Sequence, residues 1–365
     1  MLVMYAGFIV FVLAMLALDL FVVNRGAHEI SIKRSLFFTG FTVLLALAFT
    51  GAIYWMYDHH WLGLGVAVPQ LKGDPVDVPG SQAAVEFITG YLIEYSLSMD
   101  NIFVIAVIFA HFGIPAKHQH RVLFWGIIGA LLMRGVMIAV GATALLYAKW
   151  LIYVFGAFLL YTGFKMLMSK ADEEPDLENN WTVKLARRFY PVTNGLREQR
   201  FLVTENGVRM MTPLFLTLLV VEATDVVFAV DSIPAIFGIT RDPFIVFTSN
   251  IFAILGLRSL YFALSGAMAA FKYVKVSLSL VLMFVGAKML LEAVHFEIDK
   301  LLSLGIIAGL LVGGVVASLL ARPKAAAATP AQGTPEASPA AANRTLASTA
   351  ETADQSGQPS KNFDK

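Results

Sequence analysis

Long apolar stretches, separated by short polar connections, recur along almost the whole chain. Crossing about 30 Å of hydrocarbon takes roughly 20 mainly apolar residues in a helix. Nine runs meet or approach that length: Met4 to Val23, Leu36 to Tyr57, Ala83 to Phe109, Leu123 to Leu146, Leu151 to Met168, Thr212 to Phe237, Phe244 to Leu264, Val274 to Leu291 and Leu301 to Leu320. The pattern predicts an all-α polytopic membrane protein with nine transmembrane helices. The first run lacks a basic flank and a small-residue cleavage site and carries Asp19, so it reads as a retained helix and not as a secretory leader.

The connections set the expected orientation, because Lys and Arg are held on the cytoplasmic side. One set carries Arg25, Lys33, Arg34, Lys117, Arg121, Lys170, Lys184, Arg187, Arg188, Arg197, Arg200, Arg209, Lys272, Lys275, Arg322 and Lys324. The opposite set carries only Lys72, Lys149, Arg241 and Lys300. In a bacterial inner membrane this places the N-terminus outside and the C-terminus in the cytoplasm.

Three polar pieces remain. Asp58 to Gln82, with Pro69, Pro75 and Pro79, reads as an outer loop. The cytoplasmic loop, residues 169–211, starts acidic at Asp172, Glu173 and Glu174 and then turns basic, with Trp181, Leu185 and Phe189 at four-residue spacing. That spacing fits a short helix on the membrane surface or a solvated loop. Alternation around Asn206-Gly207 predicts a hairpin over Phe201 to Met211. Residues 322–365, rich in Ala, Pro, Ser, Thr and Gln, are expected to form a disordered tail outside a transmembrane domain of residues 1–321.

Composition agrees with a bilayer as solvent: 58% of residues are hydrophobic and only 15% charged, with a mean hydropathy of +0.71. The net charge of +1 gives no field for nucleic acid. Cysteine is absent, which removes disulfides, thiolate metal sites and thiol redox chemistry. His28, His59, His60, His111, His118, His120 and His295 all fall between apolar runs or at their ends. Oxygen is left as the ligand type inside the membrane.

The chain also repeats itself. Glu94, Asp100, Asn101, Ile102 and Ile105 of the third run match Asp225, Asp231, Ser232, Ile233 and Ile236 of the sixth at one constant offset. Arg134 matches Arg258, and Gly163, Lys165 and Met166 match Gly286, Lys288 and Met289. Repeat one spans residues 83–168 and repeat two residues 212–291. An odd number of crossings per unit makes the copies inverted, as in many transporters.

A carboxylate in hydrocarbon is costly unless it is protonated, paired or hydrated, so the paired acids read as functional first. On a straight helix Glu94, Ser98 and Asn101 share a face, with Asp100 about a third of a turn away. Glu222, Asp225, Ala229 and Ser232 share another, with Asp231 beside them. Pro234 cannot donate to the Val230 carbonyl, so a kink or break is expected near Asp231. The candidate metal ligands are Glu94, Asp100, Asn101, Glu222, Asp225, Asp231 and Ser232. Oxygen ligation favours Mn2+, Mg2+ or Ca2+ as a transported ion, with no permanently bound cofactor.

Five carboxylates would be only about balanced by one divalent ion plus Arg134 and Arg258, so an empty site must take up protons, and metal–proton exchange is expected. The arginines, with Asp19, read as gating or charge-balancing groups; a purely structural ion network is the bland alternative. Glu86 is expected at the interface, Lys165 and Lys288 are expected to snorkel, and Met99 to pack. No catalytic motif accompanies the acids, so the chain does not read as an enzyme.

GYLIEYSLSMDN at Gly90 to Asn101 and EATDVVFAVDSIPA at Glu222 to Ala235 resemble the signature segments of the TerC family, within the wider LysE-like transporter group. The resemblance covers most of Met1 to Leu320. It implies a multi-pass membrane protein, linked by name to tellurium resistance and in several members to Mn2+ efflux. It further implies that Glu94, Asp100, Asp225 and Asp231 contact the metal. The fold group handles amino acids as well as metals, so the substrate stays open. A second expectation is an interaction protein that docks a partner at the cytoplasmic loop, to hand metal to exported enzymes or to organise a tellurium-stress complex.

Overall fold

A computed structural model describes residues 2–18, 32–69, 74–168, 181–193, 195–197, 200–205, 207–264, 273–293, 296 and 298–321. Asp19, the acidic start of the cytoplasmic loop and the expected tail lie outside the described residues. The helices are α1 (Leu2–Leu18), α2 (Ile32–Asp58), α3 (Gly80–His111), α4 (Ala116–Tyr147), α5 (Leu151–Met168), α6 (Trp181–Phe189), α7 (Pro213–Phe237), α8 (Pro243–Leu255), α9 (Leu257–Leu264), α10 (Val274–Ala293) and α11 (Lys300–Leu320). Strands β1 (Leu202–Glu205) and β2 (Val208–Met211) lie between α6 and α7.

Eight segments are long and apolar enough to cross a membrane, α8 and α9 counting as one: Lys33–Asp58, Gly80–His111, Ala116–Tyr147, Leu151–Met168, Pro213–Phe237, Pro243–Leu264, Val274–Glu292 and Lys300–Ser318. The first helix, apolar over Val3–Ala17, is shorter within the described residues. Trp125, Leu132, Val136 and Val140 of α4 are all exposed on the outside of the bundle. Such a row would be costly in water and is at home against lipid. The chain is thus a polytopic, helical membrane protein.

Local chemistry fixes the helix starts. Pro213 and Pro243 occupy first-turn positions, where their missing N–H would have had no partner. Ahead of them Thr212 Oγ1 accepts from Phe215 N, and Asp242 accepts from Phe244 N at 2.9 Å. Asp299 caps α11 through Leu302 N at 2.9 Å.

Two backbone features depart from expectation. The predicted break near Asp231 does not form: α7 runs unbroken through Pro234 to Phe237. Pro234 stands in the final turn, where the hydrogen bond it forfeits is near the end of the ladder. The seventh run is interrupted instead, at Gly256 between α8 and α9. A Cβ there would come within 3.0 Å of Thr42 Oγ1 and 3.5 Å of the Tyr95 ring, so α2 and α3 approach the bare backbone.

Packing is densest between α5 and α10, with α3 laid along α8 and α4 along α7. A Cβ at Gly286 would lie 2.7 Å from the Gly156 carbonyl and 2.9 Å from Leu160 N. At Gly163 it would lie 2.8 Å from the Ser279 carbonyl and 3.1 Å from Met283 N. Gly156 and Leu160 precede Gly163 by the same steps as Ser279 and Met283 precede Gly286. On the far side, Phe8 of α1 joins Phe49 of α2, Phe87 of α3 and Phe252 of α8 in a buried aromatic cluster.

The hairpin forms as expected, β1 antiparallel to β2 with Leu202 opposite Met211 and Gly207 at φ +79° in the turn. Residues from Trp181 onward form helix α6, which settles that stretch as helix and not loop. Val183 anchors α6 against the bundle, while Trp181, Leu185 and Phe189 are exposed.

Candidate functional site

The centre of the bundle is organised by Arg134 of α4, which is 1% exposed. Its guanidinium is ion-paired to Glu94 of α3. It also donates twice to Asp225 of α7, at 3.0 and 3.2 Å. The Nη1 group reaches Asn250 Oδ1 of α8 at 3.1 Å and Ser232 Oγ of α7 at 3.4 Å. Four helices thus supply oxygen atoms or charge to one point. Ser98 and Asn101 are buried on the same face of α3 as Glu94, as their spacing implied.

Glu222 joins from one turn earlier on α7, close enough to Asp225 for the two carboxylates to repel. Its carboxylate lies on the bare backbone of α4, where any Cβ at Gly129 would collide with it. Glu94 Oε2 is buried with no hydrogen-bond partner. An orphan carboxylate oxygen inside a low-dielectric bundle calls for a proton, a water or a cation.

The remaining sequence candidates are placed elsewhere. Asp100 is within electrostatic reach of Lys275 of α10. Asp231 lies beside Thr162 and Lys165 of α5. Arg258, buried in α9, is near His120 of α4 and is not among the partners of Arg134. Among the described residues, no group of three or more His, Cys, Asp or Glu is disposed to hold a metal ion. In this state the position where acids converge is filled by the Arg134 guanidinium.

Glu86, expected at the interface, stands near the start of α3. It is 2% exposed, accepts from Gln82 Nε2 at 2.8 Å and from the Thr240 hydroxyl, and is ion-paired to Lys300. Nearby, Tyr57 donates to Asp242 at 2.8 Å. Burial pushes the Asp242 carboxyl up from its ordinary range, an effect opposed by the bonds from Tyr57 and the Phe244 and Ile245 N–H groups.

Asn250 and Gly129 are positions at this cluster that sequence reasoning missed. Asn250 is fully buried and also donates to the Val246 carbonyl at 2.9 Å. Its signal was a lone carboxamide in an apolar run. Gly129 had none, since its role is only to leave room.

The model of the integral membrane protein TerC family matches residues 80–326, which takes in α3 to α11 and leaves α1 and α2 outside. The chain is 48% identical over 318 residues to an uncharacterized membrane protein of Myxococcus xanthus, covering 87% of this chain and 92% of that one. It is 43% identical over 309 residues to Alx of Salmonella typhi, a proposed membrane-bound redox modulator, covering 84% and 91% of the two chains. Alx of Escherichia coli K12 is 42% identical over 310 residues, covering 85% and 92%. No solved structure matches the chain.

Proposed function

Because this chain belongs to the TerC family of integral membrane proteins, we propose that it exports a hard divalent cation, Mn2+ first, from the cytoplasm across a bacterial inner membrane. The observation that carries the reading is the orphan oxygen of Glu94 in a buried cluster where Asp225, Ser232 and Asn250 converge on one cationic group. Carboxylate, carboxamide and hydroxyl oxygens suit Mn2+, Mg2+ or Ca2+ over softer ions.

In this reading Arg134 is the resident counter-charge of the empty carrier. Arriving metal displaces it from Glu94 and Asp225, and Glu222 adds negative charge at the edge. Asp100 and Asp231, each within electrostatic reach of a lysine in this state, serve as approach and exit acids. Protons returning to the carboxylates couple export to the proton gradient.

Alternating access needs two related halves. The reciprocal glycine contacts of α5 and α10, and the pairing of α3 with α8 as of α4 with α7, support inverted repeats over α3–α5 and α7–α10. The proposed topology has α1 as a ninth crossing, the N-terminus outside and the C-terminus in the cytoplasm.

The test is purified protein in liposomes loaded with a Mn2+-quenched dye, with and without a pH gradient. Quenching that follows the gradient and is lost in Asp225→Asn is the expected result. Equal leak from wild type and variant would remove the export reading.

A second reading, an interaction protein for metal delivery, is favoured by α6. Its exposed Trp181, Leu185 and Phe189, flanked by Lys184, Arg187 and Arg188, offer a docking face. A partner that co-purifies, is lost with residues 181–190, and accompanies an absence of flux would establish it.

A further inference from the structure

Apart from the Arg134 cluster, charged groups gather around a cavity of about 260 Å³ at one end of the bundle. It is bounded by the start of α3, the α7–α8 link, the end of α10 and the start of α11. Among the described residues, three cations line it, Arg241, Lys288 and Lys300, against two carboxylates, Glu86 and Glu292.

The pairings leave a surplus. Lys300 is ion-paired to Glu86. Arg241 Nη2 donates to both oxygens of Glu292, at 2.9 and 3.0 Å. Lys288 lines the cavity within electrostatic reach of Glu292, Glu86, Lys300 and Arg241. Both of those carboxylates already hold another cation. Arg241 Nε is buried and has no acceptor. Among the described residues that line it, the cavity therefore carries one positive charge in excess and one N–H donor without an acceptor.

A cation entering here would meet net repulsion. A small oxyanion would neutralise Lys288 and accept from Arg241 Nε, and guanidinium and ammonium together are a common pairing for phosphate and carboxylate oxygens. The volume accommodates a tetrahedral oxyanion with some water.

We propose that this cavity binds an oxyanion of the phosphate type, with Lys288 and Arg241 as its direct partners. The same chemistry is offered by free phosphate and by the phosphate of an anionic lipid headgroup. The inference stands apart from the export reading, since no residue of the Arg134 cluster takes part.

The test uses the full chain purified in neutral detergent. Inorganic phosphate is titrated against chloride at matched ionic strength while Tm is followed, and native mass spectrometry reads any retained lipid. Phosphate is expected to raise Tm saturably by about 2–4 °C above chloride. Lys288→Met should abolish the rise, and Lys288→Arg should retain it. A phosphate-containing lipid retained by wild type and lost in Lys288→Met would identify the headgroup as the source. A rise equal in chloride, or phosphate and lipid behaviour identical in wild type and Lys288→Met, overturns the proposal. Should Lys288→Met fail to fold, Lys288→Gln with Arg241→Lys is read by the same criteria.

Discussion

Removing one member of a buried ion pair leaves the other charged where nothing solvates it, at about 3–5 kcal/mol. Arg134→Gln leaves Glu94 and Asp225 facing each other with Glu222 close by, so the variant is expected to be less stable than wild type by roughly that amount. Added Mn2+ should then restore much of the lost Tm, because the metal can take the vacated place, while wild type gains far less. A variant whose Tm ignores Mn2+ would show that the cluster is only structural. Glu94→Gln, which leaves Arg134 held by Asp225 and Asn250, is expected to fold and to lose transport. Asp242 allows a pH test. Burial raises its pKa, so the folded chain holds this proton more tightly than the unfolded chain does. Its contribution is complete below the ordinary carboxylate range and is lost as pH rises through the folded value. Asp242→Asn should flatten that part of a Tm–pH profile. At this scale the structure brings Glu94, Asp225 and Ser232 together on Arg134, whereas Asp100 and Asp231 are not among the partners of that guanidinium. Six residues on from Glu94, Asp100 is displaced about 9 Å along the axis and turned to another side, and helix spacing alone does not say which neighbour waits there.

Helices α5 and α10 touch through backbone, which makes their crossing sensitive to single atoms. Gly163→Leu and Gly286→Leu should each force the pair apart and destabilise by about 1–3 kcal/mol or more. The two effects should be similar, since each glycine meets the equivalent carbonyl and amide on the partner helix. Gly305 and Gly309 of α11, with nothing within 4 Å of a Cβ, should accept Leu at little cost and serve as controls. Folded yield by size-exclusion chromatography and Tm would measure both sets, and markedly unequal losses at Gly163 and Gly286 would argue against the symmetric crossing. Elements of this kind were readable where the signal is local: apolar length for the spans, Asn206-Gly207 for the hairpin, Trp181, Leu185 and Phe189 for α6. The interruption at Gly256 was not, because the close approach of Thr42 to that glycine comes from a helix distant in sequence. Pro234 does not break α7 for a local reason, since it stands in the final turn.

The first helix decides how the whole chain threads the bilayer. Seventeen described residues of α1 rise about 26 Å, somewhat short of the roughly 30 Å of hydrocarbon. Yet Phe8 packs into the aromatic cluster with Phe49, Phe87 and Phe252, which ties α1 to helices that do have spanning length. A helix held alongside spanning neighbours, with Val3, Val10 and Leu13 exposed on its outer side, has the packing that the proposed ninth crossing requires. Nine crossings put the termini on opposite sides, and eight put them together; the proposed repeat units would be inverted either way, because α3, α4 and α5 make three crossings before α7 begins. The chain has no cysteine, so single probes at Leu2→Cys and Ser338→Cys report without background. With a membrane-impermeant maleimide on intact cells, Leu2→Cys should label at once and Ser338→Cys only after permeabilisation. Labelling of both, or of neither, before permeabilisation would leave α1 outside the spanning set. Labelling of Ser338→Cys alone would reverse the whole orientation, and with it the direction in which the Arg134 cluster could move a cation.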